Sequence, residues 1–183
     1  MGDDEAEKRA VEAELQREGV EGDGEEELLD EFSDLVAIGT LADVVPLKKE
    51  NRALVYEGLK RINSGSRQGI EALKNAAGVS GKKLGAGGIS FTLAPRINAA
   101  GRMGSAMTAF RLLLSDDEND AAELAKTIDT YNKERHSVEN EITKQAIAEI
   151  ESRPDEKYAS VIVVSGENWH QGVIGIVAAR LCG

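Results

Sequence analysis

Apolar positions recur with helical spacing along most of this 183-residue chain. In LLDEFSDLVAIG, Leu28, Leu29, Phe32, Leu35, Val36 and Ile38 fall largely on one stripe, which predicts a helix stopping at Gly39. The run TLADVVPL follows, bounded by Pro46. A second helix is expected from about Asn51 through NRALVYEGLKRIN, and a third from about Arg67 to Ala77 with Gly78 as its stop. GKKLGAGG reads as a loop, and Pro95 is expected to keep ISFTLAPRINAAGRMG from forming one unbroken helix. From Ser115 a long stripe begins, through Leu124, Ile128, Tyr131, Val138, Ile142, Ile147 and Ile150, and Pro154 ends it. Ser115 and Glu118 have the spacing of a capping box at its start. At about 1.5 Å per residue such a helix spans about 55 Å, longer than a small domain is wide, so it is expected to join two bodies.

After Pro154 the period changes. YASVIVVSG reads as a buried strand, GENWHQG as a tight loop and VIGIVAARL as the start of a helix. The expected fold class is therefore α/β, mostly helical over this chain, with the first β-strand and helix of a second α/β domain. Four parts follow: an acidic lead-in at 1–27, frayed or flexible; a helical body at 28–114; a connector helix at 115–154; and the truncated start of the second unit at 155–183.

Composition agrees with many helices and few strands, since only 4% of residues are aromatic while 19 are Gly. No apolar run approaches the roughly 18 residues of a membrane span, and MGDDEAEKRA is no basic-then-apolar leader, so a cytoplasmic protein without a membrane partner is expected. One cysteine, Cys182, excludes an internal disulfide framework, and with only two histidines any metal site must lean on carboxylates.

The net charge of −11 argues against a polyanionic partner until it is divided along the chain. Residues 1–31 hold 14 acidic and 3 basic side chains, so the rest sums to zero. Within that remainder, 44–115 carries 12 Lys or Arg against 3 Glu, whereas 116–159 carries 6 basic against 13 acidic residues. Concentrated positive charge is what phosphate neutralisation requires. A set of solvated helix faces is the other reading of the same charges.

Three places could carry chemistry. Asp43, in the apolar run LADVVPL, reads as a buried carboxylate that needs a cation, backbone N–H groups or a hard divalent metal; the alternative is a cap on a local turn. PRINAAGRMG sets Arg96, Asn98 and Arg102 among small residues, where forked guanidinium donors could meet phosphate at close backbone approach; the alternative is a helix junction whose arginines pair with the acidic helix. NWHQGVIGIVAARL places His170 and Gly172 at the amino end of a helix, an anion site by dipole and free N–H groups, or an ordinary turn. Trp169 could stack a base or simply pack, and His136 reads as a surface residue.

Taken in order, GTLADVVPL, ENR, LAPRINAAGRM, YNKERHSVE and WHQGVIGIVAARL resemble the second half of the core of the RecJ family, within the DHH phosphoesterase superfamily. The resemblance covers about residues 28–183. It implies that 28–114 is the C-terminal part of a DHH catalytic domain, that 115–154 is the connector and that 155–183 opens a DHHA1 domain. It implies a 5′ to 3′ exonuclease that hydrolyses single-stranded DNA with Mn²⁺ or Mg²⁺ in recombination and repair, with single-strand-binding protein or other repair proteins as further partners. Asp43 would be the last metal-binding aspartate, Arg96, Asn98 and Arg102 would line the cleft, and His170 and Gly172 would lie in the DHHA1 signature loop. The chain departs from the family in lacking the DxD, lone Asp and Asp-His-His ligands, because its only histidines, His136 and His170, lie downstream of Asp43. The fragment alone is therefore expected to be inactive as a nuclease and to hold no metal tightly. A non-catalytic RecJ-like scaffold is an alternative. So is a DHH-family phosphodiesterase of oligoribonucleotides or cyclic dinucleotides, although HQGVIGIVA lacks the GGGH-type loop of those relatives.

Overall fold

The computed structural model describes residues 23–65, 67–153 and 161–182, which form seven α-helices of eight residues or more. They are α1 (Asp23–Ala42), α2 (Glu50–Ser64), α3 (Gln68–Ala76), α4 (Ala94–Met103), α5 (Ala106–Leu113), α6 (Glu118–Glu151) and α7 (Gln171–Cys182). Residues 1–22, most of the acidic lead-in, lie outside the described residues.

The first helix buries Ala37, Ile38 and Leu41 and packs on α2. Gly58 permits that contact, since a Cβ there would stand 2.1 Å from the Ser33 carbonyl oxygen. Gly39 does not stop α1: nothing lies near it, its conformation is helical, and the helix runs on to Ala42. The end comes where Val44 takes φ 55 and Val45 N–H reaches back to the Thr40 carbonyl at 3.1 Å. That is a left-handed helix stop in which a valine fills the position glycine usually takes. Gly78 ends α3 as expected, with φ 70 and a bond of 3.0 Å from Val79 N–H to the Lys74 carbonyl.

Pro95 redirects the next stretch without breaking it. A short helical run over Ala86–Gly88 passes into a π-helical segment, Ile89–Leu93, and then into α4 with Pro95 in its first turn. The wider π turn accommodates a ring that would clash with a carbonyl one α-turn earlier and that has no N–H to donate. Ser105 caps α5 by accepting from Met107 N–H.

At the start of α6 the cap is Asp117, whose Oδ1 accepts from Asp120 N–H at 2.8 Å. Ser115, the expected cap, instead donates to the Asp117 carbonyl at 3.2 Å. The helix has 34 residues and spans about 50 Å. Its first half enters the main core through Ala121, Ala125 and Ile128, beside Ile62, Ile70, Leu73, Ile89, Leu93 and Leu112. Its second half contributes Ile142 and Ala146 to a separate apolar cluster with Val173 and Val177 of α7.

The expected strand is not there: no strand occurs among the described residues, which are helical throughout their regular structure. Residues 161–166 carry no ladder, and Val161 and Val163 are exposed; Tyr158 to Ser160 lie outside the described residues. A strand exists only through inter-strand pairing, and no second extended segment is present among the described residues to supply it.

Candidate functional site

Arg96, Asn98 and Arg102 all belong to α4 but do not share a face. Asn98 and Arg102 are one turn apart and both exposed, whereas Arg96 lies round the helix and turns toward α6. There its Nε donates to Asp129 Oδ1 at 2.9 Å and its Nη1 to the Thr92 carbonyl at 2.7 Å. Lys133 holds the other oxygen of Asp129 at 2.7 Å. Burial pushes the Asp129 carboxyl up, but the bonds and charges of Lys133 and Arg96 outweigh it and leave the group below its ordinary value. Arg96 thus pairs with the acidic helix, the second of the two arrangements its sequence allowed.

Arg102 reaches across 70 residues of sequence and donates from Nη1 to the Gly172 carbonyl at 2.9 Å. The backbones meet closely here, as a Cβ on Gly172 would stand 2.7 Å from the Arg102 carbonyl oxygen. His170 accepts at Nδ1 from Gly172 N–H at 3.1 Å, fixing the imidazole against the start of α7. Arg102, His170 and Gly172 therefore stand where α4 meets the amino end of α7, with Asn98 exposed one turn back along α4. Trp169 is committed to packing: its Nε1 donates to Gln145 Oε1 at 2.7 Å and its ring covers the α6–α7 cluster, with Gly166 leaving room beneath it. Asn168, at φ 62, makes the turn that precedes it, a conformation asparagine tolerates.

Asp43 lies in the turn after α1, and the expectation that it is buried does not hold. It is exposed, as are Val44, Val45 and Leu47 around it, because the chain leaves the core at this point. Val44 beside it is a β-branched residue held in the left-handed region, a strained backbone that the helix end imposes. The preceding end of α1 is tied to the π segment through Ser90, whose hydroxyl donates to the Leu41 carbonyl at 3.2 Å. A hard divalent cation takes six or more oxygen ligands. Among the described residues no three His, Cys, Asp or Glu side chains converge, so these residues do not by themselves fit a metal ion.

Two polar networks escaped the sequence reading. Asp34 is fully buried and accepts from Arg67 Nε at 2.8 Å, with Arg61 at 3.6 Å; Arg67 also donates to the Glu31 carbonyl at 2.6 Å. On α6, Arg135 and Glu139 are buried between the two apolar clusters. Arg135 donates to Glu139 Oε2 at 2.7 Å and to Asn132 Oδ1 at 3.1 Å, and Arg180 of α7 donates to Glu139 Oε1 at 3.2 Å. His136 Nε2 lies 2.7 Å from Arg135 Nη2. A guanidinium only donates, so that nitrogen must be unprotonated. Burial and then the Arg135 charge hold the imidazole below its usual range, against an opposing pull from Glu139. The signal for this network was legible: Arg135 and Glu139 occupy the same stripe as Ile128, Tyr131 and Ile142, where solvent-facing charges do not belong.

No protein-family model matches the chain. It is similar to the single-stranded-DNA-specific exonuclease RecJ of Bacillus subtilis, with 42% identity over 155 residues, covering 85% of this chain and 20% of that protein. The RecJ of Thermus thermophilus crystallised in complex with Mn²⁺ superposes with a TM-score of 0.73 at 40% identity, over 91% of this chain and 24% of that one. The Mg²⁺ complex of RecJ from the same organism gives 0.71 at 38% identity over the same share of this chain. The chain thus spans about a quarter of the length of the relatives it matches.

Proposed function

The chain is related to the RecJ single-stranded-DNA-specific exonucleases over about a quarter of their length, and from that premise we propose that it is the segment of such an enzyme that holds the DNA backbone beside the catalytic metal ions. The whole enzyme hydrolyses phosphodiester bonds of single-stranded DNA from the 5′ end, in recombination and repair. The observation that carries this reading is the meeting of Arg102 with Gly172 and His170 across 70 residues of chain. It joins two of the three segments singled out for phosphate chemistry at one exposed place, where a forked cation and the amino end of a helix both favour an anion.

Arg102 and Asn98 take the phosphates from α4 and His170 takes them from α7, oriented by the Gly172 N–H that its Nδ1 accepts. Arg96, paired with Asp129 on another face of α4, braces that helix against α6. Asp43, presented on a strained turn, contributes one carboxylate to a Mn²⁺ or Mg²⁺ set whose other ligands come from outside the described residues. When bound, such ions polarise the phosphoryl group and supply the attacking hydroxide. Residues 28–114 belong to the catalytic domain, α6 is the connector and α7 opens the second domain. By itself the chain is expected to release no nucleotides.

Binding of a labelled single-stranded oligonucleotide to the chain, followed by anisotropy across a salt series, tests the reading. Arg102→Ala should weaken binding about fivefold and lower the slope of log affinity against log salt by about 0.7, one single-strand phosphate contact. Asp43→Ala should bind like the parent chain. Equal affinity and slope for Arg102→Ala would sink the assignment, and Mn²⁺-stimulated nucleotide release by the chain alone would sink the metal part.

A further inference from the structure

Helix α7 is docked on α6 through Val173 and Val177 against Ile142 and Ala146, yet its apolar residues do not form one stripe. Val173 is fully buried, while its neighbour Ile174 is 42% exposed. Turning the helix by about 100° would put Ile174, Ala178 and Cys182 where Val173, Val177 and Leu181 now pack, so apolar burial favours the observed rotation while Ile174 leaves a second apolar edge beside it. Polar contacts pin the helix at both ends. At the amino end the Gly172 carbonyl accepts from Arg102 of α4. Two turns further on, about 12 Å along the axis, Arg180 donates to Glu139 Oε1 at 3.2 Å and to Asn140 Oδ1 at 3.4 Å on α6.

We propose that Glu139 is a positioning residue for the α4–α7 face: by holding Arg180 it fixes the rotation of α7, and with it the place of His170 and Gly172 opposite Arg102. The proposal rests on the reading that this face meets DNA. Glu139 suits the task because its carboxylate is almost wholly enclosed, with a side-chain exposure of 11%, and both of its oxygens are used. Arg135, inside the same helix, takes Oε2 and leaves Oε1 directed at α7. Arg135 thereby holds the carboxylate in one rotamer, which is what a fixed partner for Arg180 requires.

Trp169 is the chain's only tryptophan and sits one loop residue before His170, so its fluorescence reports where α7 begins. Arg180→Ala removes the pin without stranding a buried charge, since Arg135 still satisfies Glu139. Acrylamide quenching of Trp169 is expected to rise at least twofold, while the far-UV circular dichroism keeps the parent's helical signal and oligonucleotide affinity falls. Arg180→Lys should restore most of the quenching protection, and Glu139→Gln should shift it in the same direction as Arg180→Ala. Unchanged quenching in Arg180→Ala overturns the proposal whatever happens to DNA binding. Raised quenching with undiminished affinity, in a chain whose Arg102→Ala variant does lose affinity, overturns it too, because the rotation of α7 would then not matter to the face. If quenching rises and neither variant alters affinity, the pin stands and the DNA reading fails.

Discussion

Two aspartates nine residues apart make opposite predictions. Asp34 is fully buried, with Arg67 Nε at 2.8 Å and Arg61 at 3.6 Å. Removing one member of a buried ion pair costs about 3–5 kcal/mol, most of it from the charge left behind. Here Arg67 keeps the carbonyls of Glu31 and Leu113 as partners, so Asp34→Ala should fall at the lower end, about 3 kcal/mol. For a chain of this length that lowers Tm by about 6–12 °C. Asp34→Asn keeps the volume and one acceptor but loses the charge, and should cost about 1.5–2 kcal/mol. Asp43→Ala, on an exposed turn, should stay within about 0.5 kcal/mol. Urea unfolding followed by circular dichroism separates the three variants. A loss below about 1 kcal/mol in Asp34→Ala, or an equal loss in Asp43→Ala, would refute the reasoning that burial and pairing set the cost.

Glycines give a second pair: Gly39→Ala, inside α1 with open space around it, should stabilise by about 0.5–1 kcal/mol. Gly69→Ala should destabilise by about 3 kcal/mol, because its Cβ would stand 1.8 Å from the Leu112 carbonyl oxygen; thermal melts of both variants decide the matter. The third prediction concerns pH. His136 is held below its ordinary value in the folded chain, so the unfolded chain binds the proton more readily. Its contribution is therefore fully present above about pH 6.5 and is lost as pH falls through the folded value. The Tm difference between the chain and its His136→Gln variant should shrink between pH 7 and pH 5, and a difference independent of pH would count against it.

The apolar stripes told where helices form, since Ile38, Ile62, Leu73 and Ile128 all lie where their periodicity put them, in one core. They told less about ends. Gly39 and Ser115 had the right residue types for a stop and a cap, but the choice fell to Val44 and Asp117, whose places depend on how the neighbouring turns pack. Helix α5 was missed because eight residues bury only Ala109 and Leu112, too short a stripe to read. The strand failed for a different reason: apolar β-branched residues state a preference, but pairing needs a partner that one segment cannot supply. At the site, residue types marked Arg102 and Gly172 as candidates in separate motifs, and nothing local says that the two touch. Asp34 and Asp43 sit in equally apolar surroundings in sequence. Only the helix phase, which turns one inward and leaves the other beyond the last turn, separates them.

Helix α6 also acts as a lever. Ala125 stands in the first apolar cluster and Ala146 in the second, 21 residues apart, or about 32 Å. A tilt of about 5° about Ala125 would carry Ala146 nearly 3 Å sideways, about the length of a hydrogen bond. Helix α4 lies where the two clusters approach each other, with Ala100 in the first and Met103 against the second. A small angular change at the first core is thus magnified to the length of a hydrogen bond at the second, and the straightness of a single helix sets how finely α7 can be aligned with the main core.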